Sequence, residues 1–226
     1  MDAYVGAERP SKVMVWTPEH TGVFLTHARR HRLYAQYHLI AFRGLRRGES
    51  CGLRWPDLDL KEGTMTIRWQ ITTATGGTEQ SRPKSEAGDR QVMLDQHTIA
   101  ELKAHRTRQN KERLAAGDTW QDTGFVFTTP TGQPLHPAEV SDQFLRLAMD
   151  ADLPPIRLHD LRHGAATILL HAGHDMKVVQ ETLGLSSITI AADTYTSVLP
   201  QLARQSAEDA AAILINATNK TRTPTR

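Results

Sequence analysis

With 226 residues, 39% of them hydrophobic, the chain is long enough for one sizeable core or two small domains and has the composition of an ordinary globular protein. No apolar run approaches the roughly 18 residues a membrane span needs, and the start, MDAYVGAERPSKV, lacks the apolar stretch of a signal peptide, so a cytoplasmic location is expected. A net charge of +2 and a pI near 8.8 are only mildly basic and do not by themselves announce a nucleic-acid binder.

The distribution of charge says more than its sum. Basic residues bunch at Arg29, Arg30 and Arg32, at Arg43, Arg46 and Arg47, and along Lys103, Arg106, Arg108, Lys111 and Arg113. Bunching of this kind makes either a positive face or a solvated helix surface. The single cysteine, Cys51, cannot form an internal disulfide and is expected to be a buried apolar residue.

In chain order, Thr17-Pro18-Glu19 reads as a helix start with a hydroxyl cap, a proline at the first helical position and an acid in the first turn; the helix should run to about Arg32. A second helix from about Leu33 carries Leu39, Ile40 and Phe42 inward and stops at Gly44. From Leu58 the period changes. Met65, Ile67, Trp69 and Ile71 alternate with Thr64, Thr66, Arg68 and Gln70, the period of a strand with one buried face, after a turn at Lys61-Glu62-Gly63. Thr73 to Gly88, rich in Gly, Thr and Ser, should be an exposed hairpin-like connection, and Arg90 to Leu94 a short strand.

Asp95 opens a long amphipathic helix through Ile99, Leu102 and Leu114 to Gly117. Phe125 to Thr128 reads as a brief strand, Thr129-Pro130-Thr131-Gly132 as a turn, and the next helix places Val140, Phe144 and Leu147 on one face before Pro154-Pro155. Helical segments then run from about His159 to His171, Asp175 to Leu183 and Ile188 to Tyr195. A last alanine-rich helix, Leu202 to Asn216, leads to a polar tail, 217–226, expected to be disordered. The result is a mainly α protein with a small antiparallel sheet.

His159 and Arg162 lie three apart at a helix start, so both can point to one face and grip one anion. His159 and His163 also have the i, i+4 spacing of a zinc pair, but the glutamate of an HExxH motif is absent and Asp160 or His174 would have to be the third ligand. Ser186 and Ser187 lie near several histidines without a G-x-S-x-G elbow, and no G-x-x-x-x-G-K-[ST] loop is present.

Four blocks together are specific: Gly44-Leu45-Arg46-Arg47-Gly48-Glu49, Pro83-Lys84, Leu158-His159-Asp160-Leu161-Arg162-His163 and Asp193-Thr194-Tyr195. In this order and spacing they resemble the catalytic domain of the tyrosine recombinases, or phage integrase family, over Val15 to about Leu202, with residues 1–14 as a lead-in and 203–216 as a C-terminal helix. The resemblance implies catalytic roles for Arg46, Lys84, His159, Arg162 and the nucleophile Tyr195. It implies supporting roles for Glu49, which orients the first arginine, and for His163, through packing or orientation. It also implies double-stranded DNA as substrate, a homotetramer on DNA, and strand exchange through a 3′-phosphotyrosine without metal, ATP or another cofactor. The last helix offers Leu202, Ala210, Ile213 and Leu214 for docking on a neighbouring protomer or on its own domain.

Two departures stand out. The family usually carries a histidine or tryptophan where this chain has Leu185, after Leu183-Gly184, and leucine cannot donate to a phosphate. Loss of such a donor costs about 10²- to 10³-fold in rate, which leaves a slow enzyme, a substitute such as His174, or a degraded gene. The family also carries an N-terminal helical domain that completes a clamp on DNA, whereas this chain begins almost at the catalytic domain; alone it is expected to bind DNA weakly and with little selectivity. A DNA-binding remnant and a topoisomerase that relaxes DNA remain the alternatives.

Overall fold

The structure is a computed structural model that describes residues 15–75, 77–83, 89–185, 208, 211, 212, 214 and 215. Its first helix, α1 (Pro18–His27), begins as the sequence predicts: the Thr17 hydroxyl accepts from the His20 amide at 3.3 Å, and a short 3-10 turn over Ala28–Arg30 extends it. Helix α2 (Tyr34–Arg43) is the centre of the fold. Every residue from Tyr34 to Ala41 is buried, so helices pack around it rather than along one stripe. Trp16, Phe24, Tyr37 and Phe144 form an aromatic cluster beside it, with ring centroids 4.9–5.7 Å apart for the pairs around Phe24. Phe42 differs from expectation. It is 39% exposed and stacks on the buried His38 ring at 4.1 Å, covering it from solvent instead of entering the core.

The chain leaves α2 at Gly44, which is left-handed with φ 63°. A Cβ there would meet a Leu183 methyl at 2.1 Å, so this glycine both turns the chain and admits the helix that ends at Leu183. Next comes α3 (Arg47–Gly52), then β1 (Leu58–Asp59), β2 (Thr64–Ile67), β3 (Gln70–Ala74), β4 (Gly77–Ser81) and β5 (Arg90–Met93). The expected continuous strand from Met65 to Ile71 is two strands in two sheets: β1-β2-β5 is one antiparallel sheet, and β3-β4 is a separate hairpin. Trp69 is only half-buried at the break. The cause lies in α3, whose Gly48 and Gly52 sit against the backbone of Trp69 to Ile71 so closely that a Cβ would fall 2.7–2.8 Å from it. The chain bends there to receive the helix.

Helix α4 (Gln96–Ala116) starts on the Asp95 carboxylate, which accepts from the Thr98 amide at 2.9 Å and pairs with Arg43. Its buried face includes the polar residues Thr98, Glu101, His105 and Gln109, while Leu114, expected inward, is 83% exposed near the helix end. Those polar groups explain why Phe125 to Thr128 is not a regular strand. Gln109 donates to the Phe125 and Val126 carbonyls at 3.2 and 3.0 Å and to Thr128 Oγ1 at 3.1 Å, and His105 Nε2 meets Val126 O at 2.7 Å. Backbone pairing is confined to single bridges, Phe125 with Arg54 and Thr128 with Pro134, and side chains satisfy the carbonyls between.

Three further helices close the domain: α5 (Pro137–Asp150), α6 (Leu158–His171) and α7 (Met176–Leu183). Helices α6 and α7 share a small apolar cluster of Ala166, Leu170, Val179 and Leu183, against which Leu185 packs. The expected helix from Ile188 to Tyr195 lies outside the described residues. Of the expected last helix, the five described residues are helical and exposed. Among the described residues no helix is long and apolar enough to cross a membrane.

Gly52→Ala tests the close packing of α3 on β3. In an open helix the change would stabilise by restricting the unfolded chain; here the added methyl meets backbone and should destabilise by roughly 1–3 kcal/mol in urea unfolding. An unchanged or higher midpoint would contradict the packing described.

Candidate active site

Two helix starts use the same device. At α3 the Arg46 amide donates to Glu49 Oε2 at 2.9 Å, and Arg46 Nη1 donates to Glu49 Oε1 at 2.5 Å. At α6 the Arg157 amide donates to Asp160 Oδ2 at 2.9 Å, and Arg157 Nη2 to Oδ1 at 2.8 Å. In each case an acid three residues into the helix satisfies the capping amide, complements the positive helix end and holds the preceding arginine. The acids are buried and the arginines reach toward solvent.

Glu49 is shared by a second cation. Arg90 approaches from β5 with Nη1 3.1 Å from Oε1 and Nη2 3.0 Å from Oε2, a bidentate pair in which the carboxylate is 1% exposed. Burial alone would raise the Glu49 pKa. The charge and hydrogen bonds of Arg90, with the charges of Arg46 and Arg162 behind them, overcome that and hold it down at about 2.

These arginines also converge on the end of α7. Arg90 Nε donates to the Thr182 carbonyl at 3.0 Å, Arg162 Nη2 to Leu183 at 2.6 Å, and Arg46 Nη2 to Gly184 at 2.7 Å. Three consecutive carbonyls, which a helix end leaves without intrahelical partners, are thus met by three arginines from β5, α6 and the start of α3. Arg162, 2% exposed, spends another donor on the carbonyl of Gly44 at 2.5 Å.

His159 is placed differently from Arg162. It is exposed at a cleft of about 690 Å³ that it shares with Arg46, Arg47, Gln70, Ser141 and Arg157. The expectation that His159 and Arg162 share a face therefore holds as proximity, while their side chains have different surroundings. Packed protein beneath the His159 ring, then the charges of His163 and Arg162, push its pKa down to about 4, so the imidazole is neutral at pH 7. His163 packs edge-on against it with ring centroids 5.0 Å apart. Burial lowers the pKa of His163 as well.

Of the residues singled out from sequence, Arg46, Glu49, His159, Arg162 and His163 come together. Lys84 and Tyr195 lie outside the described residues. Leu185 turns to the apolar cluster between α6 and α7, its amide donating to Gln180 O at 3.0 Å. His174, the suggested substitute donor, is exposed in the turn between α6 and α7 and does not line the cleft. Among the described residues no group of three or more His, Cys, Asp or Glu is arranged to hold a metal ion. Sequence reasoning missed Arg90. The available signal was its register: Arg90 and Val92 take the inward positions of β5, opposite Ile67 and Met65, and an arginine at an inward position requires a buried partner.

The sequence profile of the phage integrase family matches residues 19–201. Among curated relatives, the chain is 33% identical over 183 residues to a protein named tyrosine recombinase XerC-like from Caldanaerobacter subterraneus subsp. tengcongensis, covering 76% of this chain and 47% of that protein. It is 26% identical over 202 residues to the ICEBs1 integrase of Bacillus subtilis, covering 87% of this chain and 54% of the relative. The chain thus spans about half the length of these relatives. Its fold matches the integrase of transposon Tn1549, solved in complex with transposon right-end DNA, with a TM-score of 0.74 at 24% identity over 92% of this chain and 69% of that one. It matches the XerA recombinase with a TM-score of 0.68 at 23% identity, over 88% and 65% of the two chains. At these identities the structural likeness establishes a common fold.

The Glu49 cluster carries a pH signature. A carboxyl whose pKa falls from the ordinary 4.5 to about 2 on folding stabilises the fold fully above about pH 4.5 and loses that contribution as pH drops toward 2. The contribution is of order 3 kcal/mol. Urea unfolding across this range should show a steeper acid loss in wild type than in Glu49→Gln, and parallel profiles would contradict the arrangement.

Proposed function

Because this chain belongs to the phage integrase family, we propose that it cuts and rejoins DNA strands at a specific site, with Tyr195 as the nucleophile and without metal or ATP. The observation that carries the reading is that Arg46 meets residues more than a hundred positions later in the chain: it shares the cleft with His159 and, with Arg162, holds the last carbonyls of α7, the helix the chain leaves on its way to Tyr195.

The chemistry fits these residue types. Attack on a phosphodiester builds negative charge on the non-bridging oxygens; Arg46, which lines the cleft, is placed to meet it, and the family pattern gives Arg162 the same role although its guanidinium here is buried and donates to the Gly44 and Leu183 carbonyls. Glu49 orients Arg46. A phenol with an ordinary pKa of about 10 must lose its proton as it attacks, and a neutral imidazole can accept it. His159 supplies that acceptor, with His163 packed behind its ring. Lys84 would protonate the leaving 5′ oxygen, since a lysine set beside other cations gives up its proton more readily. The bond from Tyr195 Oη to phosphorus forms as the bond to the 5′ oxygen breaks. The resulting 3′-phosphotyrosine keeps the energy of the broken bond for ligation by another 5′ hydroxyl.

The partner is double-stranded DNA, in keeping with the DNA on which the Tn1549 integrase was solved. A homotetramer on DNA is part of the proposal, as is catalysis without the donor usually found at the Leu185 position. With Leu185 committed to packing, that missing donor points to a slow reaction.

The test is a nicked suicide duplex carrying the sequence that the protein selects from a random pool. Wild type should accumulate a covalent protein-DNA adduct, Tyr195→Phe none, and His159→Gln should form it about 10²- to 10⁴-fold more slowly. An adduct surviving Tyr195→Phe would sink the assignment. Tight binding with no adduct at long times would favour a non-cutting remnant, and relaxation of plasmids lacking any selected site would favour a topoisomerase.

A further inference from the structure

We propose that Arg90 is a positioning residue for strand transfer, tying the carboxyl end of α7 to the Glu49 carboxylate and so setting where Arg46 stands relative to that helix. The inference rests on the proposed function and concerns a residue that the four sequence blocks do not contain.

Arg90 engages two elements at once. Its two terminal nitrogens meet the two oxygens of Glu49, and its Nε meets the Thr182 carbonyl of α7 at 3.0 Å. It is 9% exposed and does not line the cleft occupied by Arg46 and His159, so it is placed to act through other groups rather than on a substrate in that cleft. Glu49 Oε1 accepts from both Arg90 Nη1 and Arg46 Nη1. Any displacement of the carboxylate therefore moves the anchor of Arg46. The neighbouring carbonyls of α7, Leu183 and Gly184, are those held by the buried Arg162 and by Arg46 of the cleft, so the same guanidinium that fixes the carboxylate fixes the helix end on which both lean.

The residue type follows from this geometry. A planar fork can serve a carboxylate edge and a carbonyl with fixed relative directions, whereas a lysine offers one compact charge on a flexible stem. The site is also electrostatically dependent on Arg90. The charged groups facing Glu49 are Arg90 from β5, Arg46 from the start of α3 and Arg162 from α6, and Arg90 is the foremost of them in offsetting the carboxylate's burial. Without it, burial gains the upper hand and Glu49 takes up a proton at a higher pH.

The experiment uses the full chain and the nicked duplex of the selected sequence. At saturating DNA, Arg90→Met should form the adduct about 10²-fold more slowly, as expected for a misplaced catalytic group, with the Kd for the duplex unchanged. Its rate should also acquire an acidic limb, falling between about pH 7 and pH 5 as Glu49 protonates, which wild type and Arg90→Lys lack. Arg90→Lys should recover part of the rate. A wild-type rate in Arg90→Met, or a loss fully explained by unfolded protein with a wild-type pH profile, would overturn the inference. If Arg90→Met does not fold, Arg90→Lys decides: a slower rate at unchanged Kd supports the assignment and an unchanged rate overturns it. Absence of a Tyr195-dependent adduct in wild type would overturn the proposed function with it, whereas a wild-type adduct with an unaffected Arg90 variant would overturn this inference alone.

Discussion

The buried carboxylate of Glu49 is the constraint on which the rest of the site depends. It lies where α3, β5 and the end of α7 meet, and the arginines it draws in are the ones that cap the last carbonyls of α7. A lone ionised carboxylate would be too costly there. Paired in bidentate fashion with Arg90 it becomes affordable, and its leftover accepting capacity orients Arg46. Helix docking and arginine placement are consequently one event rather than two.

The charge balance of this cluster accords with the phosphate proposed to react there. Three arginines, Arg46, Arg90 and Arg162, surround one carboxylate and one helix end, whose dipole supplies only about half a negative charge. Arg90 and Glu49 cancel each other, which leaves the remaining two cations in excess of the anions around them. A site with surplus positive charge and restrained donors binds an anion with little reorganisation, and charge that develops during the reaction is stabilised most by groups already in place. The close approach at Gly44 serves the same end, because it lets Leu183 and the end of α7 come near enough for these hydrogen bonds to form.

Much of the fold was legible because its signals are local. Thr17-Pro18, Gly44, Asp95, Asp175 and Gly184 stop and start helices through their own hydrogen bonds and dihedral angles, and all of them do so in the structure. The errors arose where tertiary contacts overrode a pattern. Phe42 and Leu114 fit an apolar stripe, but one covers His38 and the other faces solvent near a helix end. The strand through Trp69 breaks because α3 has no side chains on the face that meets it, and Phe125 to Thr128 keeps only single backbone bridges because Gln109 and His105 take its other carbonyls. For the site, Arg46, Glu49, His159 and Arg162 stood out through a family pattern, whereas Arg90 is an arginine in a short strand whose importance depends on which side of the sheet it faces.

In the proposed reaction Arg46 acts by neutralising charge on the scissile phosphate. The most direct test of this claim compares single-turnover adduct formation by wild type and Arg46→Ala on two nicked duplexes, one natural and one in which a methyl group replaces a non-bridging oxygen of the scissile phosphate. On the natural duplex the variant should be slower by about 10²- to 10³-fold, and on the neutral one most of that deficit should vanish. An equal deficit on both duplexes would contradict the claim.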